Sequence, residues 1–112
     1  MPAHDFAAGV QYIRSKAQEL KRDPNEISMA WGAGDLYNII AEDEATVRSA
    51  ARPLLEASKT DISLQPWIMG TPQQCKRKVT AYVEAGATNI VIGFPDFPST
   101  QSLKLFTEQV LT

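Results

Sequence analysis

Few side chains in this sequence could do chemistry, and they stand apart from one another. There is one histidine, His4, and one cysteine, Cys75. A single histidine beside the first residues cannot join a Ser/His/Asp relay. No Cys/His cluster has metal-ligand spacing. Cys75 falls in the first turn of a helix, where the dipole can lower a thiol's pKa, but a lone helical cysteine is usually a packing residue, and it is read so. Two glycine-containing turns follow apolar stretches. Trp31-Gly32-Ala33-Gly34 is too short for the GxGxxG fingerprint, and a tight turn explains it equally well. Gly93-Phe94-Pro95-Asp96-Phe97-Pro98 leads to a helix start at Ser99, whose free backbone N–H groups could hold an anion such as a phosphate. The competing reading is a turn stiffened by Pro95 and Pro98, with Phe94 and Phe97 in the core. Asp96 is the loop's only carboxylate, and one carboxylate does not define acid/base chemistry.

The elements that would position these turns can be read from periodicity. Phe6, Val10, Ile13, Ala17 and Leu20 form one apolar face and predict a helix from His4 to Leu20, opened by His4 or Asp5. Lys21-Arg22-Asp23-Pro24 ends it, with cations suited to a helix C-terminus and proline as stop. Ile27 to Trp31 predicts a strand. Asp35 to Ile40 reads as irregular. Glu42 to Ser58 predicts a helix with Val47, Ala50, Ala51, Leu54 and Leu55 inward, kinked or restarted at Pro53. Glu42-Asp43-Glu44 suits its N-terminus and is read as capping. Ile62 and Leu64 permit a short edge strand, which Pro66 keeps out of a sheet centre, and Trp67, Ile68 and Met69 look buried or interfacial.

The clearest element is a helix from Pro72 to Ala85. Thr71 at N-cap, Pro72 at N1 and Gln74 at N3 make a capping box. Val79, Tyr82 and Val83 form its stripe, and Gly86 suits the left-handed position after its end. Asn89 to Gly93, with the run Ile90-Val91-Ile92, predicts a strand covered on both sides. Ser99 then caps a last helix carrying Leu103, Phe106 and Val110. The order α-β-α-α-β-α, with a possible third short strand, implies an α/β fold with parallel strands in a single domain spanning 1–112.

Composition narrows the function classes. A chain of 112 residues with net charge −2 carries scattered Lys and Arg, which speaks against a nucleic-acid footprint or a polybasic membrane patch. The densest basic run, Lys76-Arg77-Lys78, points in different directions on a helix and reads as a solvated face. There is no apolar run of about 18 residues and no signal-peptide pattern at the start. The single cysteine excludes an internal disulfide framework and points to a reducing cytoplasm.

The stretch IMGTPQQCKRKVTAYVEAGATNIVIGFPDF is similar to the closing part of luciferase-like monooxygenases, flavin- or deazaflavin-dependent oxidoreductases built on a (β/α)8 barrel. Gly70, Thr71, Pro72 and Gln74 match the family's G-[ST]-P-E-Q, with Gln73 in place of the acid. Tyr82, Ala85, Gly86 and Ala87 match Y-x-x-A-G-[AV], and Ile90 to Gly93 match the final barrel strand. Lys21-Arg22-Asp23-Pro24 with Glu26-Ile27 resembles G-R-D-P-x-x-I, with Lys21 replacing glycine. Ala41-Glu42-Asp43-Glu44-Ala45 resembles the segment before the penultimate helix. A complete barrel needs about 250 residues, so the resemblance implies a partial (β/α) barrel fragment corresponding to the last βα units. It implies FMN or a deazaflavin as cofactor, a cofactor mouth at Gly32, Gly34, Gly93, Phe94 and Asp96, and no assigned catalytic residue. Exposed strand edges and apolar faces in so short an α/β chain predict self-association, or pairing with a complementary barrel half. The alternative is a non-catalytic truncated barrel segment that oligomerises or binds a partner.

Overall fold

How each helix starts and stops dictates the architecture. The computed structural model describes residues 2–32, 38–58, 68–96 and 98–111. Helix α1 (Ala3–Glu19) begins after Pro2, which offers no side-chain cap, and ends at Leu20. Its closing turn is made by Arg22 N–H donating to the Ala17 carbonyl at 2.8 Å, with Lys21 at φ +58°. This left-handed position is where a helix normally places glycine. A short 3-10 turn, Pro24–Glu26, follows, with the Asp23 carboxylate accepting from Asn25 N–H.

Strand β1 is Ala30–Gly32, three residues later than the Ile27 start the alternation suggested. A two-residue strand β2, Ile39–Ile40, lies in the stretch that reads as irregular. Helix α2 (Glu44–Ser58) runs through Pro53 as one helix. Asp43 accepts from the backbone N–H and the hydroxyl of Thr46 at its start, as the acidic capping reading expects. Strand β3 is Met69–Gly70, and the edge strand expected at Ile62 and Leu64, with Trp67, lies outside the described residues. Helix α3 (Pro72–Glu84) carries the full capping box. Gln74 also donates to Glu44 at 3.0 Å, tying this cap to the start of α2. Strand β4 is Asn89–Val91. Helix α4 (Gln101–Gln109) has Thr100 at its N-cap without a side-chain bond. Ser99 helps from one residue further out, accepting from Gln101 N–H at 3.3 Å.

The fold is mixed α/β with parallel pairing throughout the described strands. β1 pairs with β4, Trp31 opposite Ile90 and Gly32 opposite Val91. β2 pairs with β3, Ile39 opposite Met69. These are two separate two-stranded sheets, and the sequence neighbours β3 and β4 are not hydrogen-bonded partners. Thr88 locks the start of the β1–β4 pair: its hydroxyl accepts from Met29 N–H and its own N–H donates to the Met29 carbonyl, both at 2.8 Å.

The core gathers on one side of the β1–β4 sheet. Trp31 lies flat on Tyr82 of α3, ring centroids 3.7 Å apart, and Phe6 of α1 meets Tyr82 edge-on at 5.8 Å. Ile40, Ile68, Cys75, Ala87, Phe106 and Val110 complete the cluster. The other face of the sheet is bare. Ala30, Gly32, Asn89 and Val91 are exposed, and Val91 is 66% accessible against 3% for Trp31. The expectation that β4 is covered on both sides is therefore corrected: the described helices that meet this sheet pack on the Trp31 face, and no described element covers the Val91 face. Ile13, Leu20, Val83 and Leu103, expected to point inward, are also exposed. The Cα radius of gyration, 15.7 Å, exceeds the roughly 13 Å of a compact chain this long, as a one-sided core requires.

Two backbone positions test this packing. Gly86 sits at φ +113°, and a Cβ there would lie 2.8 Å from Val10 Cγ1 on α1. Gly86→Ala should cost about 1–3 kcal/mol by urea unfolding, because both the conformation and the space reject a side chain. Lys21→Gly should raise stability by about 0.5–1 kcal/mol, relieving the left-handed strain.

Candidate functional site: the cleft beyond β4

Strand β4 ends at Val91 and the chain then turns into α4, leaving a cleft of about 380 Å³. Ile92, Gly93, Phe94, Asp96, Ser99, Thr100 and Leu103 line it. Its floor is apolar: Phe94 is half-buried and tilts against Phe106 of α4, with centroids 5.6 Å apart. Three of the residues expected at a cofactor mouth, Gly93, Phe94 and Asp96, are together here. Gly32 lies at the same end of the sheet, opposite Val91 and exposed. Gly34 lies outside the described residues.

The polar groups of the cleft are largely committed to the fold. Asp96 accepts from Ser102 N–H at 3.2 Å through its carboxylate and from Ser99 N–H at 2.8 Å through its carbonyl. With Ser99 accepting from Gln101 N–H, the Gln101 and Ser102 donors at the start of α4 already have oxygen partners. A carboxylate thus occupies the place at the helix start where an incoming phosphate would find its donors, and like charges there repel. With Ile92, Phe94 and Leu103 in its lining and a carboxylate at the helix start, the cleft favours apolar contact over an anion.

A residue without a sequence signature anchors one residue of this cleft's lining, Gly93. Asn38 is 1% exposed. Its Nδ2 donates to the Gly93 carbonyl at 2.7 Å, and its Oδ1 accepts from Ile68 N–H at 2.9 Å. The only sequence signal was a polar residue directly before the apolar pair Ile39-Ile40, in a stretch without periodicity.

The other candidate side chains lie away from the cleft. His4 is exposed at the start of α1, 3.1 Å from Asp5. Cys75 is 1% exposed and its thiol donates to the Gly70 carbonyl at 3.6 Å. Burial pushes the thiol up to about 11, overriding the dipole and the nearby Lys78, so it is a packing group and not a nucleophile. Burial likewise lowers Lys78 and raises Tyr82. A larger groove of about 510 Å³ runs between the start of α2 and α4, but its charged lining, Glu42, Asp43, Lys104 and Glu108, is exposed. No group of three metal-ligating side chains occurs among the described residues. No described helix is long and apolar enough to cross a membrane.

Among known proteins, no protein-family model, curated protein or solved structure matches this chain.

The buried Cys75 thiol makes stability depend on pH. Its folded pKa lies above the ordinary 9.0, at about 11. The unfolded thiol therefore ionises first, and stability present below pH 9 falls as pH rises toward 11. The slope in that window is at most about 1.4 kcal/mol for each pH step of one. Urea unfolding of the wild type and Cys75→Ala from pH 8 to 11 should show this extra loss only in the wild type. Iodoacetamide should label Cys75 at neutral pH only after denaturation.

Proposed function

We propose that this chain is a βα segment of a luciferase-like, flavin- or deazaflavin-dependent oxidoreductase of the cytoplasm, in which the cleft beyond β4 supplies one apolar wall of the cofactor pocket. The observation that carries the reading is the bare face of the β1–β4 sheet, with Val91 two-thirds exposed while Trp31 beneath is buried. In a parallel barrel the corresponding face is filled by inward side chains from other strands, and this chain supplies none among the described residues. A second polypeptide, either another copy or a complementary barrel half, would cover it. Two local details support the ancestry. Lys21 takes the left-handed conformation at the position where the resembled pattern has glycine, and Gln74 makes the reciprocal cap that the G-[ST]-P-E-Q pattern encodes.

The residues present fit part of such a cofactor. Ile92, Phe94 and Leu103 offer an apolar surface to the edge of an isoalloxazine or deazaflavin ring, and Gly32 and Gly93 let a planar group approach the backbone. Asp96 and Ser99 occupy the Gln101 and Ser102 donors, so in this reading the covering polypeptide supplies the phosphate contacts. When bound, the cofactor supplies hydride transfer or oxygen activation. This chain's part is to orient the ring edge and keep water from it.

Light scattering after size exclusion should show the chain associating at micromolar concentration. Val91→Glu should weaken that association by about tenfold or more, because an anion replaces buried apolar area. FMN or deazaflavin fluorescence should quench saturably with the assembled wild type and not with Val91→Glu. Assembly without quenching would leave only a structural, partner-binding segment. A stable monomer would remove the whole reading.

A further inference from the structure

We infer that Asn38 is a positioning residue that makes the cleft beyond β4 and the β2–β3 pair open and close as one unit. The inference rests on hydrogen bonds among described residues and holds whatever occupies the cleft. Three backbone segments meet at one buried amide. Asn38 Nδ2 holds the Gly93 carbonyl, at the cleft wall, at 2.7 Å. Its Oδ1 holds Ile68 N–H, at the start of β3, at 2.9 Å. The next residue, Ile39, donates its backbone N–H to the Ile68 carbonyl at 2.8 Å and so begins the β2–β3 ladder.

The amide uses its donor end on the segment leaving β4 and its acceptor end on the residue entering β3. Leucine of similar size would supply neither, and aspartate would keep the acceptor but lose the donor. Because Asn38 and Ile68 are 1% and 0% exposed, water cannot replace either bond without local opening. A buried donor or acceptor left unmatched is costly, so breaking one bond favours breaking the other. Phe94 is carried by the same segment as Gly93 and leans on Phe106 of α4. The position of that ring therefore depends on a side chain fifty-five residues before Gly93 in the chain.

Native-state hydrogen exchange on the full wild-type chain tests the coupling directly. The Asn38 side-chain amide protons should give an opening constant within about twofold of those for the Ile39 and Ile68 backbone amides, with one shared denaturant slope. Side-chain protons opening about tenfold or more readily than Ile68 would overturn the inference. Asn38→Asp supplies a second readout that a simple stitch to β3 would not move. Its carboxyl, its pKa raised by desolvation, can donate to Gly93 while protonated at about pH 5, and once ionised at about pH 9 can still accept from Ile68 N–H but faces the Gly93 carbonyl with negative charge. Phe94–Phe106 nuclear Overhauser contacts should be present at about pH 5 and weaken by about pH 9, while the Trp31–Tyr82 ring-shifted resonances persist. Phe94–Phe106 contacts unchanged from pH 5 to 9 would overturn the inference. If Asn38→Asp does not fold at the upper pH, the wild-type exchange comparison decides alone.

Discussion

The described structure depends on one buried amide. The strands are too short to hold a sheet by their ladders alone: β1 and β4 have three residues each, β2 and β3 two. A two-stranded sheet of that length is marginal in water. What gives the pairs a common frame is Asn38, whose donor end holds Gly93 just past β4 and whose acceptor end holds Ile68 just before β3, and the helices packed on one side. An amide suits this position because a buried polar group is tolerated only when its bonds are made. The geometry that satisfies Asn38 is thus the geometry that places Gly93 and shapes the cleft.

A second constraint follows from the one-sided core. The Trp31–Tyr82 stack and the edge of Phe6 concentrate aromatic surface beneath the sheet, and α1 approaches α3 closely enough that Gly86 has no room for a side chain. The opposite face keeps Val91 in water. Burial on one face and exposure on the other is ordinary for an antiparallel sheet but unusual for a parallel one, whose strands are normally covered twice. The cleft is tied to the covered side, since Phe94 in its lining leans on Phe106 of the core.

Much of the local structure was legible in the chain. The capping box of Thr71 and Gln74, the glycine stop at Gly86 and the proline-marked end of α1 are interactions between residues a few positions apart, so spacing alone encodes them. The strands were harder. β2 escaped notice because two residues carry no period, and β1 was placed too early because Ile27 to Trp31 alternates whether or not a partner strand is present. For the site, the loop from Gly93 to Asp96 could be picked out from its turn chemistry. That Asp96 would turn back onto Ser102 N–H, and so occupy the place of an anion, depended on the direction in which α4 leaves the loop.

The sequence by itself determined the capping of α3 and the stops of α1 and α3, that the strands are parallel, and which loop follows the last of them, because capping, helical periodicity and connection length act within short stretches. The starts of α1 and α4 fell on Pro2 and Thr100 instead of the expected caps. Tertiary structure alone decided which strand pairs with which, that the run Ile90-Val91-Ile92 leaves Val91 in water, and that Asn38 anchors Gly93 in the cleft's lining. Those outcomes depend on contacts between residues about thirty to sixty positions apart. Closing loops of that length is repaid only by the assembled core, so no local pattern records them.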